Sequence, residues 1–284
     1  MGIISKKDAW TALTTTIMKT LEYPLLATTL TKKECKHIMA PILEGGLAKA
    51  GICRNMARAL VHGPKKYKGL DLHDIYTTQG ITQVQAILNH CWQNSDTGKL
   101  IITSMEYVKL EIGMPETIFE LDYDIYGILA EDSWVKHVWG FMREKGIMVK
   151  DDIGVFAVLR EKDAPINAYL CNAYKMGINT ANEWKRANLC RKYLRALTIA
   201  DIATGDGRYI MRSAMQGVRK TASLRNLPWF SQGKPNARDW RIWRSVLRRR
   251  LCYEDRKLWI PLGQWKYQAK ESVLQSWDWW WDEE

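Results

Sequence analysis

Between Gly205 and Lys270, sixteen Lys/Arg stand against four Asp/Glu. Tryptophan is threaded through that charge, as in Asp239-Trp240-Arg241-Ile242-Trp243-Arg244. Guanidinium and ammonium groups pair with phosphate oxygens, and flat rings stack on bases or hold a helix down. The chemistry that suits such a segment is attraction of a polyanion, nucleic acid above all. At helical spacing Trp240, Trp243, Leu247 and Leu251 share one face, while Arg241, Arg244, Arg248, Arg249 and Arg250 take much of the rest. A solvated basic helix with no partner is the ordinary alternative.

A second chemistry to weigh is two-metal phosphoryl transfer, in which carboxylates on adjacent strands hold magnesium. Asp151-Asp152 has extended apolar flanks, and Asp71 followed by Tyr76 could serve as the upstream strand. Three features oppose it. Val149 stands where an aromatic is expected, the Asp71 segment is short and rich in Lys and Gly, and the residues between the two sites read as helix. Acidic turn residues in water explain these aspartates better. Gly205-Asp206-Gly207 lacks the rest of a phosphate-binding loop, and Asp122-Tyr123-Asp124 has no partner motif. Cys35/His37 and His90/Cys91 have no second pair at zinc spacing. No catalytic residue and no metal ligand is assigned.

These groups sit in a chain of 284 residues with net charge +11, 46% hydrophobic, which is enough to fill a core. The charge is uneven: residues 1–204 are nearly balanced, and 271–284 hold five acids and no base. Six scattered cysteines without a CxxC pair, and no signal peptide, lead to the expectation of reduced thiols in an intracellular protein. No stretch is apolar enough for a bilayer, so no membrane is expected.

Helical signals dominate. Ser5–Asp8, Thr31–Glu34 and Thr180–Glu183 have capping-box spacing. Trp10, Leu13, Ile17 and Leu21 form the expected stripe of the first helix, which Pro24 limits. In the second, Cys35, Ile38, Met39 and Ile42 share a side, Pro41 is a kink site, and Gly45-Gly46 is an expected end. Further helices are expected near 54–61, 78–93, 97–112, 131–145, 164–176 and 181–197. Residues 65–72 read as an extended basic connector, 147–159 as a small hairpin or linker, and Thr204–Gly207 as a turn.

The order of the early segments resembles a known family. Ser5-Lys6-Lys7-Asp8-Ala9-Trp10, the helix ending Leu21-Glu22-Tyr23-Pro24-Leu25, and Leu30-Thr31 resemble the stretch after the catalytic palm of non-LTR retrotransposon reverse transcriptases. Gly63-Pro64, Tyr67 and Lys68-Gly69-Leu70-Asp71-Leu72 are similar to the proline and connector of that family's thumb, although Asp71 departs from the usual small residue. Leu197–Gly207 and Pro235 with Trp240–Arg244 resemble downstream segments of some of these polyproteins.

The resemblance implies a mostly α chain: a thumb-like helical bundle followed by a second basic, Trp-rich helical module. The boundaries expected are 1–95, a connection region 96–204, and a basic Trp/Arg-rich module 205–284. It implies a non-catalytic fragment that holds primer–template nucleic acid by its phosphates. The palm, with its magnesium, would lie before Met1, so no cofactor is expected in this chain. Candidate contacts are Lys6, Lys7, Lys65, Lys66 and Lys68, together with Arg238, Arg241, Arg244, Arg248, Arg249 and Arg250. The expected partners are RNA–DNA hybrid or duplex, bound without sequence preference, and the remainder of the polyprotein. Two rival readings are a protein-interaction module using the tail Trp277–Glu284, and a palm-like polymerase using Asp151 and Asp152.

Overall fold

The computed structural model describes residues 4–91, 93–150, 157–219, 227, 229 and 233–266. The chain is mostly helical. Its α-helices are α1 (Lys6–Thr11), α2 (Met18–Glu22), α3 (Lys32–Lys49), α4 (Arg58–His62), α5 (Ile75–His90) and α6 (Asp96–Ile112). There follow α7 (Tyr123–Tyr126), α8 (Trp134–Lys145), α9 (Ile166–Lys175), α10 (Ala181–Leu194), α11 (Arg212–Gln216) and α12 (Ala237–Leu251). A small antiparallel hairpin, β1 (Cys252–Glu254) and β2 (Lys257–Leu258), comes after α12. No helix among the described residues is long and apolar enough to cross a membrane.

The chain divides into two compact units. The first takes in the described residues of Met1–Ile101 and Asp132–Gly146. Its core gathers Leu13, Met18, Leu25, Cys35, Met39, Leu43, Leu47, Val61, Leu72 and Ile75. Here the expected first stripe is corrected. Ala12–Ile17 is a π-helical turn, and the Met18 N–H bonds to the Leu13 carbonyl five residues back. One residue more per turn rotates the following face, so Met18 is buried and Ile17 is exposed. The expected end of α3 at Gly45-Gly46 is also corrected, because the helix continues to Lys49. A Cβ on Gly46 would stand 3.1 Å from the Leu13 side chain, so this glycine serves helix packing rather than termination. Pro41 lies on the exposed side of α3, where water can take the freed carbonyl.

Residues 65–72 are not extended throughout. A 3-10 turn over Lys65–Tyr67 is followed by left-handed Lys68 and Asp71, and the strand-like return bonds to α4: Leu70 N–H to Leu60 O (2.8 Å) and Leu72 N–H to Val61 O (3.0 Å). On α5, Gln79 is wholly buried. Its carbonyl accepts from Thr28 Oγ1 (2.8 Å) and Leu30 N–H (3.2 Å), while its amide donates to Leu30 O (3.0 Å). That side chain closes the loop before α3. On α8, Glu144 accepts from Lys32 (2.7 Å) and Tyr76 (2.9 Å), and these bonds hold its carboxyl down to about 2.

The second unit takes in Ile102–Glu131 and the described residues of Ile147–Glu284. The last carbonyls of α6 are buried and need donors from elsewhere. Arg191 on α10 supplies them: Nη2 donates to Leu110 O and Glu111 O, each at 2.7 Å, and Nη1 donates to Ala196 O at 2.9 Å. Asn188 Nδ2 adds a second bond to Glu111 O, and Asn167 Nδ2 donates to Ile112 O. Burial pulls the Arg191 guanidinium down to about 9, still well above neutral pH, and a cation at a helix C-terminus complements the helix dipole. Arg160 does similar work elsewhere, donating to Gly263 O (2.9 Å) and Gly205 O (3.0 Å). The Thr204–Gly207 turn is closed by Asp206, which accepts from Thr204 Oγ1 (2.6 Å) and Arg208 N–H (3.0 Å).

Candidate nucleic-acid interface

Helix α12 begins at a reciprocal cap. Asn236 Oδ1 accepts from Asp239 N–H (2.9 Å), and Asp239 Oδ2 accepts from Asn236 N–H (3.1 Å). Asp239 is nearly buried, because its second oxygen receives Arg186 of α10 at 2.6 Å. One charge-assisted brace therefore fixes both the start of α12 and its position on α10. The underside is apolar: Trp240, Trp243, Val246, Leu247 and Leu251 are all buried. The two indole N–H groups are satisfied by backbone, Trp240 by Pro235 O (3.1 Å) and Trp243 by Ala214 O (3.0 Å).

The outer face carries the arginines. Arg238, Arg241, Arg248 and Arg249 are exposed. At about 100° per residue they fall within a sector of roughly 100°, spread over about 16 Å of helix. That length spans about five 3.4 Å steps of a nucleic-acid strand. Arg238 and Arg241 have no ion pair among the described residues. Arg248 meets Asp255 at 3.3 Å, both exposed, and Arg249 meets the half-buried Glu183 at 3.6 Å; pairs open to water in this way are weak. Arg244 borders the strip, whereas the expected contact at Arg250 is corrected: at about 100° per residue it falls on the packed side of α12, between Val246 and Trp243, and its Nε and Nη2 are buried. Both are half-buried, and Arg244 donates to Met215 O at 3.4 Å.

The lysines of the first set belong to the other unit and are all exposed. Lys6 and Lys7 open α1, whose Ser5 cap accepts the Asp8 N–H at 3.1 Å. Lys65 lines a cavity of about 260 Å³ together with Trp10, Lys19, Glu22, Asp71 and His73. Within it Glu22 accepts from Lys19 (2.7 Å) and pairs with His73 (2.6 Å). Lys66 lies over the ring of Tyr67, 4.8 Å from its centroid. The five lysines thus occupy two different elements of that unit. Asp151, Asp152 and the Trp277–Glu284 tail lie outside the described residues.

Sequence reasoning missed the hairpin that follows α12. Tyr253 and Trp259 are exposed, their ring centroids 5.3 Å apart, and Lys257 Nζ sits 5.2 Å from the Tyr253 centroid. The available signal was aromatic residues spaced among charges in Tyr253-Glu254-Asp255-Arg256-Lys257-Leu258-Trp259, too short a run to show which way the rings point. Comparison of the chain with family models, with curated proteins and with solved structures gave no match.

Proposed function

We propose that this chain is a non-catalytic nucleic-acid-holding protein that grips the phosphate backbone through the arginine strip of α12, without reading bases. The observation that carries the reading is the strip itself: four exposed arginines on one side of a helix whose other side is held by buried tryptophans. Guanidinium groups fixed at their base but facing water lose little freedom on meeting phosphates, and contacts of this kind position a duplex rather than select a sequence. The net charge of +11 favours the same partner. In keeping with the sequence resemblance, we assign the chain to the post-palm part of a non-LTR reverse transcriptase. Primer–template duplex would be its ligand and the rest of the polyprotein its partner.

The test is the dependence of binding on salt. Affinity for RNA–DNA hybrid and for duplex DNA falls with salt at a slope of about 0.9 for each phosphate engaged. Replacing Arg238, Arg241 and Arg248 together by Gln flattens that slope by about 0.9 for each phosphate no longer engaged. An unchanged slope removes α12 from the interface.

A further inference from the structure

Helix α12 runs directly into the hairpin that carries Tyr253 and Trp259, and the Trp259 N–H donates to the Leu251 carbonyl at 2.9 Å, which ties the hairpin to the end of the helix. Large aromatic side chains are ordinarily withdrawn from water. Here Trp259 is 62% exposed and Tyr253 42%. The rings are tilted by 45° to one another at 5.3 Å, so they brace each other and form a rigid aromatic ledge. Between Arg248 and Ile260 five Lys/Arg outnumber two carboxylates. An exposed apolar ledge within a cationic surface is poorly matched to a neutral protein groove. It is well matched to a nucleic acid whose bases are unpaired, where phosphates meet the cations and a base face meets the ring.

We infer that the Tyr253/Trp259 hairpin is a stacking platform for unpaired bases, so that the chain prefers the junction between a duplex and a single-stranded overhang. The inference rests on the reading of α12 as the phosphate grip. The helix holds the paired part, and the hairpin at its end receives the first bases that leave the stack. Every base has a π-face, so the preference is for single-strandedness and not for sequence.

The experiment compares a short blunt duplex with the same duplex bearing a pyrimidine overhang that contains 2-aminopurine, using the full chain. The overhang substrate is expected to bind about tenfold more tightly, with quenching of the 2-aminopurine as it stacks. Trp259→Ala, and separately Tyr253→Leu, are expected to abolish both the preference and the quenching while blunt-duplex affinity stays within about twofold. Circular dichroism of each variant checks that the fold persists. Equal binding of the two substrates without quenching overturns the inference and leaves the α12 reading standing. Retention of the preference in Trp259→Ala overturns it equally. Failure of the chain to bind the blunt duplex at all sinks the α12 reading, and this inference with it.

Discussion

A Cβ on Gly113 would stand 2.6 Å from the central carbon of the Arg191 guanidinium. Gly113 ends α6 in the left-handed region, at φ +68°, and its bare backbone leaves the space in which the arginine caps the helix. Gly113→Ala is expected to destabilise the protein by about 2–3 kcal/mol, from backbone strain and displacement of the guanidinium together. Urea unfolding measures it. A loss below about 0.5 kcal/mol would mean that the cap tolerates movement.

Arg191→Met removes the donors and leaves the carbonyls of Leu110 and Glu111 short of partners in a dry place. The expected cost is about 3–5 kcal/mol. Arg191→Lys keeps the charge but not the planar fork, and is expected to recover less than half of that. Equal losses in the Met and Lys variants would show that the charge alone contributes nothing here, and parent-like stability in both would refute the cap.

Much of this was legible from sequence only where the interaction is local. The boxes Thr31/Glu34 and Thr180/Glu183 form as their spacing requires, because both partners lie within one turn. The apolar face of α12 is likewise visible in its spacing. Ile17 misled, since helical spacing assumes 3.6 residues per turn and the π turn adds one. Arginines misled in another way. Arg160 and Arg191 count toward the net charge as fully as Arg241 does, yet both are interior. The partners of Arg160 are carbonyls 44 to 103 residues away, and Arg191 reaches two that are 80 and 81 away, which no local pattern reports.

The π turn gives a deletion test. Removing the exposed Thr16 leaves Leu13 and Met18 four apart, the spacing of an ordinary α-helix. Stability is expected to stay within about 1 kcal/mol of the parent, while deletion of buried Leu13 is expected to abolish folding of its unit. Thermal unfolding of the two variants decides it. A severe loss in the Thr16 deletion would mean that the turn itself is required.

Asp239 serves both a cap and a brace. Asp239→Ala is expected to cost about 2 kcal/mol, more than a cap alone, because Arg186 is also left without its partner. Asp239→Asn keeps the cap geometry and is expected to fall between. Unfolding of single and double variants with Arg186→Met measures the coupling. Purely additive losses would show that the two groups act independently.

Glu144 makes stability depend on pH. Its carboxyl is held to about 2 in the folded chain, below its ordinary 4.5, so its contribution is present above about 4.5 and is lost as pH falls toward 2. Both partners are partly exposed, so the contribution is under about 1 kcal/mol. Glu144→Gln is expected to lower stability by up to about 1 kcal/mol at pH 7 and not at all near pH 2, which leaves a shallower acid limb between about pH 4.5 and 2. Parallel acid limbs in the parent and the variant would refute the assignment.

The clip made by Arg160 crosses the point where the charge of the chain changes. It joins residue 160 to the carbonyls of Gly205 and Gly263, while α12 packs on α9 and α10, with the Trp240 ring edge-on to Tyr193. Excising the basic segment at that point would cut through a hydrogen-bonded seam and bare an oily underside. The cationic helix is therefore no detachable appendage: the plain-looking stretch before it is its foundation.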